Sequence, residues 1–309
     1  MKIVFCARGE DFSEWLPVIS EFLPSADCRL WSEAECSDWQ ADYALVWQPP
    51  EALFAHQTQL KGIINLGAGV DKLLAVAGLP EAVPILKLRD AGMAAWMTDY
   101  VRYGLLHFSR DFDRYQQQQS NNQWWSKNID ARAGWPVGIL GMGAIGAQVA
   151  QQLAEDGYPV RGWSRTEKVV SGVDSFAGQD CLDEFLQGTR VLINLLPSSQ
   201  HTQGLINSAV FEQLLPDAVI INAGRGEVVD SPSLIDALRK QRLRGAMLDV
   251  FEHEPLSQDS PLWSMENVLI TPHIAAPTSI RDAIVQAKEY IHALGQGLPV
   301  KSVDRSLGY

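Results

Sequence analysis

The stretch Val137-Gly138-Ile139-Leu140-Gly141-Met142-Gly143-Ala144-Ile145-Gly146 decides the fold. An apolar run ends in glycines spaced G-x-G-x-x-G, and a helical pattern follows at once. A strand that turns into a helix over this spacing predicts a dinucleotide-binding βαβ unit. Gly141 permits the tight turn, Gly143 lets backbone approach a pyrophosphate, and Gly146 lets the helix lie close on the strand. Ala144 and Ile145 open that helix, where N-terminal N–H groups face the phosphates.

Apolar runs on either side fit the same architecture. Upstream, Ile3 to Ala7, Tyr43 to Trp47, Ile63 to Leu66 and Ile85 to Leu88 read as strands, with Phe12 to Leu23 an amphipathic helix. Downstream, Val160 to Ser164, Val191 to Leu195, Val219 to Asn222, Ala246 to Val250 and Val268 to Thr271 read as strands. Strands alternating with helices predict parallel sheets covered on both faces. Between the two sets, apolar residues from Trp96 to Phe112 recur at near-helical spacing, which predicts one long helix over roughly 94–119. A final helix, about 279–295, has no strand after it and is expected to return to the first domain. The predicted fold is α/β with two Rossmann-like, doubly wound parallel-sheet domains. Residues 1–98 and 281–309 form a flavodoxin-like substrate domain, and residues 99–280 are an inserted dinucleotide-binding domain carrying the interdomain helix.

The 309 residues suffice for two domains of ordinary size. Hydrophobic residues make up 46% and charged residues 20%, a globular composition. The formal net charge of -12 argues against nucleic acid as a partner, because binding it leans on Lys and Arg neutralising phosphates. Cys6, Cys28, Cys36 and Cys181 show no C-x-x-C pair and no zinc spacing, so no metal is expected. Reduced thiols, a first strand in place of a signal peptide, and no run long enough to span a bilayer predict a cytoplasmic protein.

In dinucleotide-binding folds, an acid about 20 residues after the glycines bonds the adenosine ribose. Here the strand ends Arg161-Gly162-Trp163-Ser164-Arg165-Thr166, with no acid at its tip. Ser164, Arg165 and Thr166 offer two hydroxyls and a guanidinium, and a guanidinium binds phosphate bidentately. NADPH is therefore expected in preference to NADH.

Three later segments leave predicted strands at their carboxyl ends, where open α/β sheets bind ligands. Asn222-Ala223-Gly224-Arg225-Gly226 puts a cation in a tight turn, suited to clamping a carboxylate. Leu248-Asp249-Val250-Phe251, followed by Glu254-Pro255, has a charge within the strand pattern and an acid in the loop beyond. Thr271-Pro272-His273-Ile274-Ala275 places an imidazole after the last strand. A histidine there is a proton-transfer candidate, and Glu254 is the carboxylate best suited to orient it.

The ordered segments Gly141 to Gly146, Asn222 to Gly226, Leu248 to Leu256 and Thr271 to Ala275 resemble the D-isomer-specific 2-hydroxyacid dehydrogenases. The likeness covers nearly the whole chain. It implies that Arg225 binds the substrate carboxylate and carbonyl, Glu254 orients the histidine, and His273 is the general acid/base. It also implies that Asp249 and the backbone at Ala223 and Gly224 hold the nicotinamide end, with Leu196 and Pro197 on the adenosine side. Leu66-Gly67-Ala68-Gly69-Val70-Asp71 is similar to the family's substrate loop, so the amides of Ala68 and Gly69 are expected to grip the carboxylate. Trp47 is expected to wall the same pocket.

Within the family, Ala41 to Trp47, Trp163 to Thr166, Val191 to Pro197 and the ending Val303 to Tyr309 resemble the bacterial glyoxylate and hydroxypyruvate reductases. The implied reaction is NADPH-dependent reduction of a small 2-oxo acid, glyoxylate or hydroxypyruvate, in an interdomain cleft that excludes water. A homodimer is implied too, through the long helix and the Trp124-Trp125 loop. Other D-2-hydroxyacid dehydrogenases and a dinucleotide-sensing, corepressor-like protein remain alternatives. One departure stands out: many members carry Val-Ala-Glu entering the interdomain helix, where this chain has Met97-Thr98-Asp99.

Overall fold

The computed structural model describes residues 1–36 and 38–308; Ser37 and Tyr309, the last residue of the ending quoted above, lie outside the described residues. The chain divides into two compact units, Met1–Gly92 with Thr278–Tyr309, and Met93–Pro277. The sequence-based boundaries at 98 and 280 therefore move to 92 and 277. A helix runs without interruption over Met93–Ser109, directly after Gly92 with its φ of +80°. Its Met97, Tyr100, Val101, Leu105 and Phe108 are buried in the second unit's core, so the whole helix goes with that unit.

The first unit holds β1 (Lys2–Ala7), β2 (Asp27–Leu30), β3 (Tyr43–Trp47), β4 (Gly62–Asn65) and β5 (Ile85–Lys87), in the order β2-β1-β3-β4-β5. All neighbours pair parallel. The chain returns through the helix Ile280–Gly295, where the Tyr290 hydroxyl donates to the Lys87 carbonyl at 2.9 Å.

The second unit holds β6 (Val137–Leu140), β7 (Val160–Ser164), β8 (Val173–Ala177), β9 (Val191–Asn194), β10 (Ala218–Asn222), β11 (Leu243–Leu248) and β12 (Val268–Ile270). Their order is β12-β11-β10-β9-β6-β7-β8, again parallel throughout. The sheet grows one way from β6 to β8 and the other way from β9 to β12. Its switch point lies between β6 and β9, the place where open α/β sheets bind their ligands. The central strands β6, β9 and β10 are buried along their full length, because both faces carry apolar layers.

Two strands escape the apolar pattern. β2 reads Asp-Cys-Arg-Leu and β8 reads Val-Asp-Ser-Phe-Ala, and each is an edge strand with exposed positions. An edge needs less burial and tolerates charge, so its composition carries little strand signal.

The long helix predicted over 94–119 is two helices, Met93–Ser109 and Phe112–Ser120. Asp111 between them is left-handed, with φ +55°. Arg244 of β11 explains the break: its guanidinium lies 2.6 Å from Asp111 and 2.9 Å from Asp113, with little solvent exposure. A buried cation must be paired, and a straight helix would not bring both carboxylates to it.

The four cysteines are free. Burial pushes the Cys6 thiol up to about 11 and, helped by Asp27, Cys28 up to about 12. Both therefore stay protonated at neutral pH. Among the described residues, no group of His, Cys, Asp or Glu is placed to hold a metal ion, and no helix is long and apolar enough to cross a membrane.

Gly146 shows how tightly the glycine turn is built. A Cβ there would overlap the carbonyl oxygen of Gly141. Since backbone cannot swing away like a side chain, Gly146→Ala is expected to destabilise the second unit by about 1–3 kcal/mol, the usual cost of overpacking. Thermal unfolding checks this; an unchanged midpoint would mean that the turn has slack.

Candidate active site

The glycine turn leaves β6 with Gly141 at φ +104°, and the helix Ala144–Glu155 begins behind Gly143. Gly143 makes no side-chain cap, and no acid stands in the first helical turn. The first N–H groups of the helix thus lack the usual internal acceptor. Beyond Met142, Gly143 itself and Ala144, no atom lies within 4 Å of where a Cβ on Gly143 would stand. Open space beside a positive helix end fits a pyrophosphate.

At the tip of β7, Ser164 is partly exposed, and Arg165 and Thr166 are exposed. The Ser164 hydroxyl donates to the Thr166 carbonyl at 2.7 Å, which shapes the turn and leaves its oxygen lone pairs available.

Two buried asparagines organise the switch point. Asn194 and Asn222 stand opposite each other at the ends of β9 and β10. Asn194 Nδ2 donates to Asn222 Oδ1 at 2.8 Å, while Asn194 Oδ1 accepts the Leu196 N–H at 3.1 Å. Asn222 Oδ1 accepts the Gly224 N–H at 3.3 Å, and its Nδ2 donates to the Arg225 carbonyl at 3.2 Å. One amide pair thereby ties the Leu196–Pro197 turn to the Ala223–Arg225 turn. Both residues lie inside segments quoted above, yet sequence reading assigned them no role. The available signal was a polar residue closing two otherwise apolar strands.

Arg225 is partly buried, and one guanidinium nitrogen donates to the Gly224 carbonyl at 2.8 Å. The next residue draws this turn against the neighbouring loop. A Cβ on Gly226 would overlap the carbonyl carbon of Phe251, so only glycine lets the two backbones meet.

Glu254 lies in that neighbouring loop. Its Oε1 accepts the Phe251 N–H at 3.2 Å, and its Oε2 lies 2.9 Å from His273 Nδ1. A carboxylate oxygen accepts, so Nδ1 carries the hydrogen and Nε2 is left for a ligand. The His273 side chain is 41% exposed, open enough to receive one.

Asp249 falls one residue beyond β11 instead of inside it. Only 1% of it is exposed. Its carboxylate accepts the Thr271 hydroxyl at 2.6 Å and the N–H groups of Ile274 and Ala275 at 2.8 and 2.9 Å. These bonds satisfy a charge that would be costly in a strand interior. In this structure the carboxylate serves the histidine segment.

Arg225, Glu254 and His273 thus follow the carboxyl ends of β10, β11 and β12, which are adjacent in one sheet. The glycine turn follows β6 and Leu196 follows β9, so the two stand on either side of the switch point of that same sheet. In the first unit, the Trp47 ring packs on Gly67, where a Cβ would overlap it. Asn65, buried at the end of β4, donates to the carbonyls of Gly67 and Gly69 at 2.9 and 2.8 Å. Ala68 and Gly69 remain partly exposed on that pinned loop.

Comparison with known proteins bears on this site. Residues 103–275 match the family model for the D-isomer specific 2-hydroxyacid dehydrogenase NAD binding domain. The chain is 42% identical over 315 residues to glyoxylate/hydroxypyruvate reductase A of Enterobacter sp., covering all of both chains. A D-isomer specific 2-hydroxyacid dehydrogenase from Xanthobacter autotrophicus, solved with NADPH and MES, superposes with a TM-score of 0.95 at 39% identity, covering 100% of this chain and 99% of that one. An NADPH-dependent glyoxylate/hydroxypyruvate reductase from Sinorhizobium meliloti, solved with NADP and sulfate, gives 0.94 at 33% identity with the same coverage. With its glycine turn and its Arg-Glu-His set at the ends of adjacent strands, this chain belongs to the D-isomer specific 2-hydroxyacid dehydrogenase family and is an oxidoreductase.

Proposed function

We propose that the protein reduces short 2-oxo acids, glyoxylate and hydroxypyruvate, to glycolate and glycerate with NADPH. The observation that carries this reading is the 2.9 Å pairing of His273 with Glu254, one loop away from Arg225. The names of the full-length relatives support the substrate class, and the NADPH and NADP held by the similar structures support the cofactor.

Gly141 to Gly146 would hold the pyrophosphate, and Ser164, Arg165 and Thr166 the 2′-phosphate. Leu196 and Pro197 would flank the adenosine, and Ala223 and Gly224 the nicotinamide. When bound, the cofactor supplies a hydride to the carbonyl carbon. The chain's own residues do the rest. Arg225 neutralises the substrate carboxylate and polarises the carbonyl. The Ala68 and Gly69 amides are assigned to the same carboxylate, and Trp47 to the pocket wall. His273 gives its Nε2 proton to the carbonyl oxygen as the C=O π pair becomes an O–H bond, and Glu254 stabilises the imidazolium before transfer.

A panel of small 2-oxo acids assayed with both cofactors tests the reading. Arg165→Ala should lower kcat/KM for NADPH by about 10–100-fold, the worth of a charge-assisted contact, and leave the NADH value nearly unchanged. A wild-type preference for NADH at equal concentration would refute the cofactor assignment.

A homodimer belongs to the same reading. Trp96, Tyr103, Leu106 and Phe112 are exposed on the two successive helices, and Trp124 and Trp125 on the loop that follows. A second copy of the chain covering them would bury this apolar surface. Sedimentation that returns the monomer mass at micromolar concentration would remove this part.

A further inference from the structure

Three successive backbone N–H groups converge on one residue. His273 N–H donates to the Asp249 carbonyl at 2.9 Å, and Ile274 and Ala275 donate to its two carboxylate oxygens. The histidine at the head of this run is left-handed, with φ +57°. Non-glycine residues seldom adopt that conformation unless their surroundings impose it. Asp249 takes all three N–H groups of this run, so whatever aims its carboxylate bears on the backbone that carries His273.

Two further side chains do so. The Thr271 hydroxyl lies 2.6 Å from Asp249 Oδ1 and 2.7 Å from the Tyr100 hydroxyl. Threonine has one hydroxyl hydrogen, and the carboxylate oxygen accepts it. The remaining bond therefore runs from Tyr100 to Thr271. Donation is directional along the whole string: Tyr100 to Thr271, Thr271 to Asp249. Burial pushes the Tyr100 phenol far above its ordinary value, so it stays a donor across the working pH range. Tyr100 itself sits on the helix Met93–Ser109, locked into the second unit's core beside Met97 and Val101. It follows directly on Met97-Thr98-Asp99, where this chain departs from the family signature.

We propose that Tyr100 and Thr271 are positioning residues that act through Asp249 to hold His273 in its proton-donating orientation. Neither touches the reacting atoms. The proposal rests on the reading of His273 as the proton donor. Its effect should fall on kcat more than on KM, since Arg225 and the substrate loop do not hang on the string.

The test has an activity arm and an arm that needs no substrate. Tyr100→Phe should lower kcat for glyoxylate about 2–10-fold, and Thr271→Val about 10–100-fold, each with KM changed by less than about threefold. Thr271→Ser, which keeps the hydroxyl, should restore most of the rate. Because Tyr100 acts through Thr271, the double variant should be no slower than Thr271→Val alone. In the protein without substrate, Thr271→Val should speed amide hydrogen exchange at Ile274 and Ala275 at least about tenfold, with β6 and β9 protected as before. Unchanged exchange at these two amides, an unchanged kcat, additive losses in the double variant, or no rescue by serine would each overturn the proposal. Should the wild-type protein reduce no 2-oxo acid, the proposed function falls, and the exchange arm alone still decides whether the string holds the segment.

Discussion

His273→Ala is expected to lower kcat by about 10²–10⁴-fold, the usual worth of a positioned general acid. KM for the 2-oxo acid should move far less, because the substrate carboxylate is assigned to Arg225. The side chain is 41% exposed, so the fold should survive and thermal unfolding should stay close to wild type. Glu254→Gln sharpens the result. An amide is close to the carboxylate in shape, but it removes the negative charge from the 2.9 Å contact with the ring. Its loss should be smaller than that of His273→Ala, and the two together should be far from additive, since the carboxylate acts through the ring. A His273→Ala protein with wild-type kcat would show that the proton comes from elsewhere.

Arg225→Ala should act mainly on substrate use, cutting kcat/KM by about 10²–10⁴-fold through a raised KM and a weakened polarisation of the carbonyl. Arg225→Lys should recover only part of this, because an ammonium is a point charge and lacks the planar fork. The cofactor's dissociation constant, measured by fluorescence without substrate, should change little. The Arg225 backbone carbonyl, which Asn222 holds at 3.2 Å, is present in every variant, so the turn itself should persist. Equal KM values for Arg225→Ala and wild type would remove the assignment.

Much of this site was legible in the sequence because the chemistry sits in short segments. Gly141 to Gly146, Arg225 between two glycines, Glu254 and His273 each stand just past an apolar run. A run of that kind ends where a parallel strand ends, and parallel sheets gather their ligands there. The supports were harder to see. Asn194 and Asn222 look like ordinary strand ends until the sheet puts them side by side. Tyr100 and Thr271 are 171 positions apart, and nothing local marks them as partners. Asp249 was recognisable as a charge in need of a partner, but its partners were not, since two of the three are backbone N–H groups.

The same contrast holds for the fold. Central strands announce themselves as apolar runs, whereas the edge strands β2 and β8 carry charged and exposed residues and do not. Helical periodicity runs straight through residues 110 and 111, yet the helix breaks there because Arg244, over a hundred positions away, requires two carboxylates. The amino-acid sequence alone determined the α/β class and the dinucleotide turn, and it marked Arg225, Glu254 and His273 as the residues proposed to react, because strand burial and glycine spacing are local properties. Strand order, the break at Asp111 and the string of hydrogen bonds that aims His273 were decided only in three dimensions, because each depends on groups that meet only when distant segments pack together.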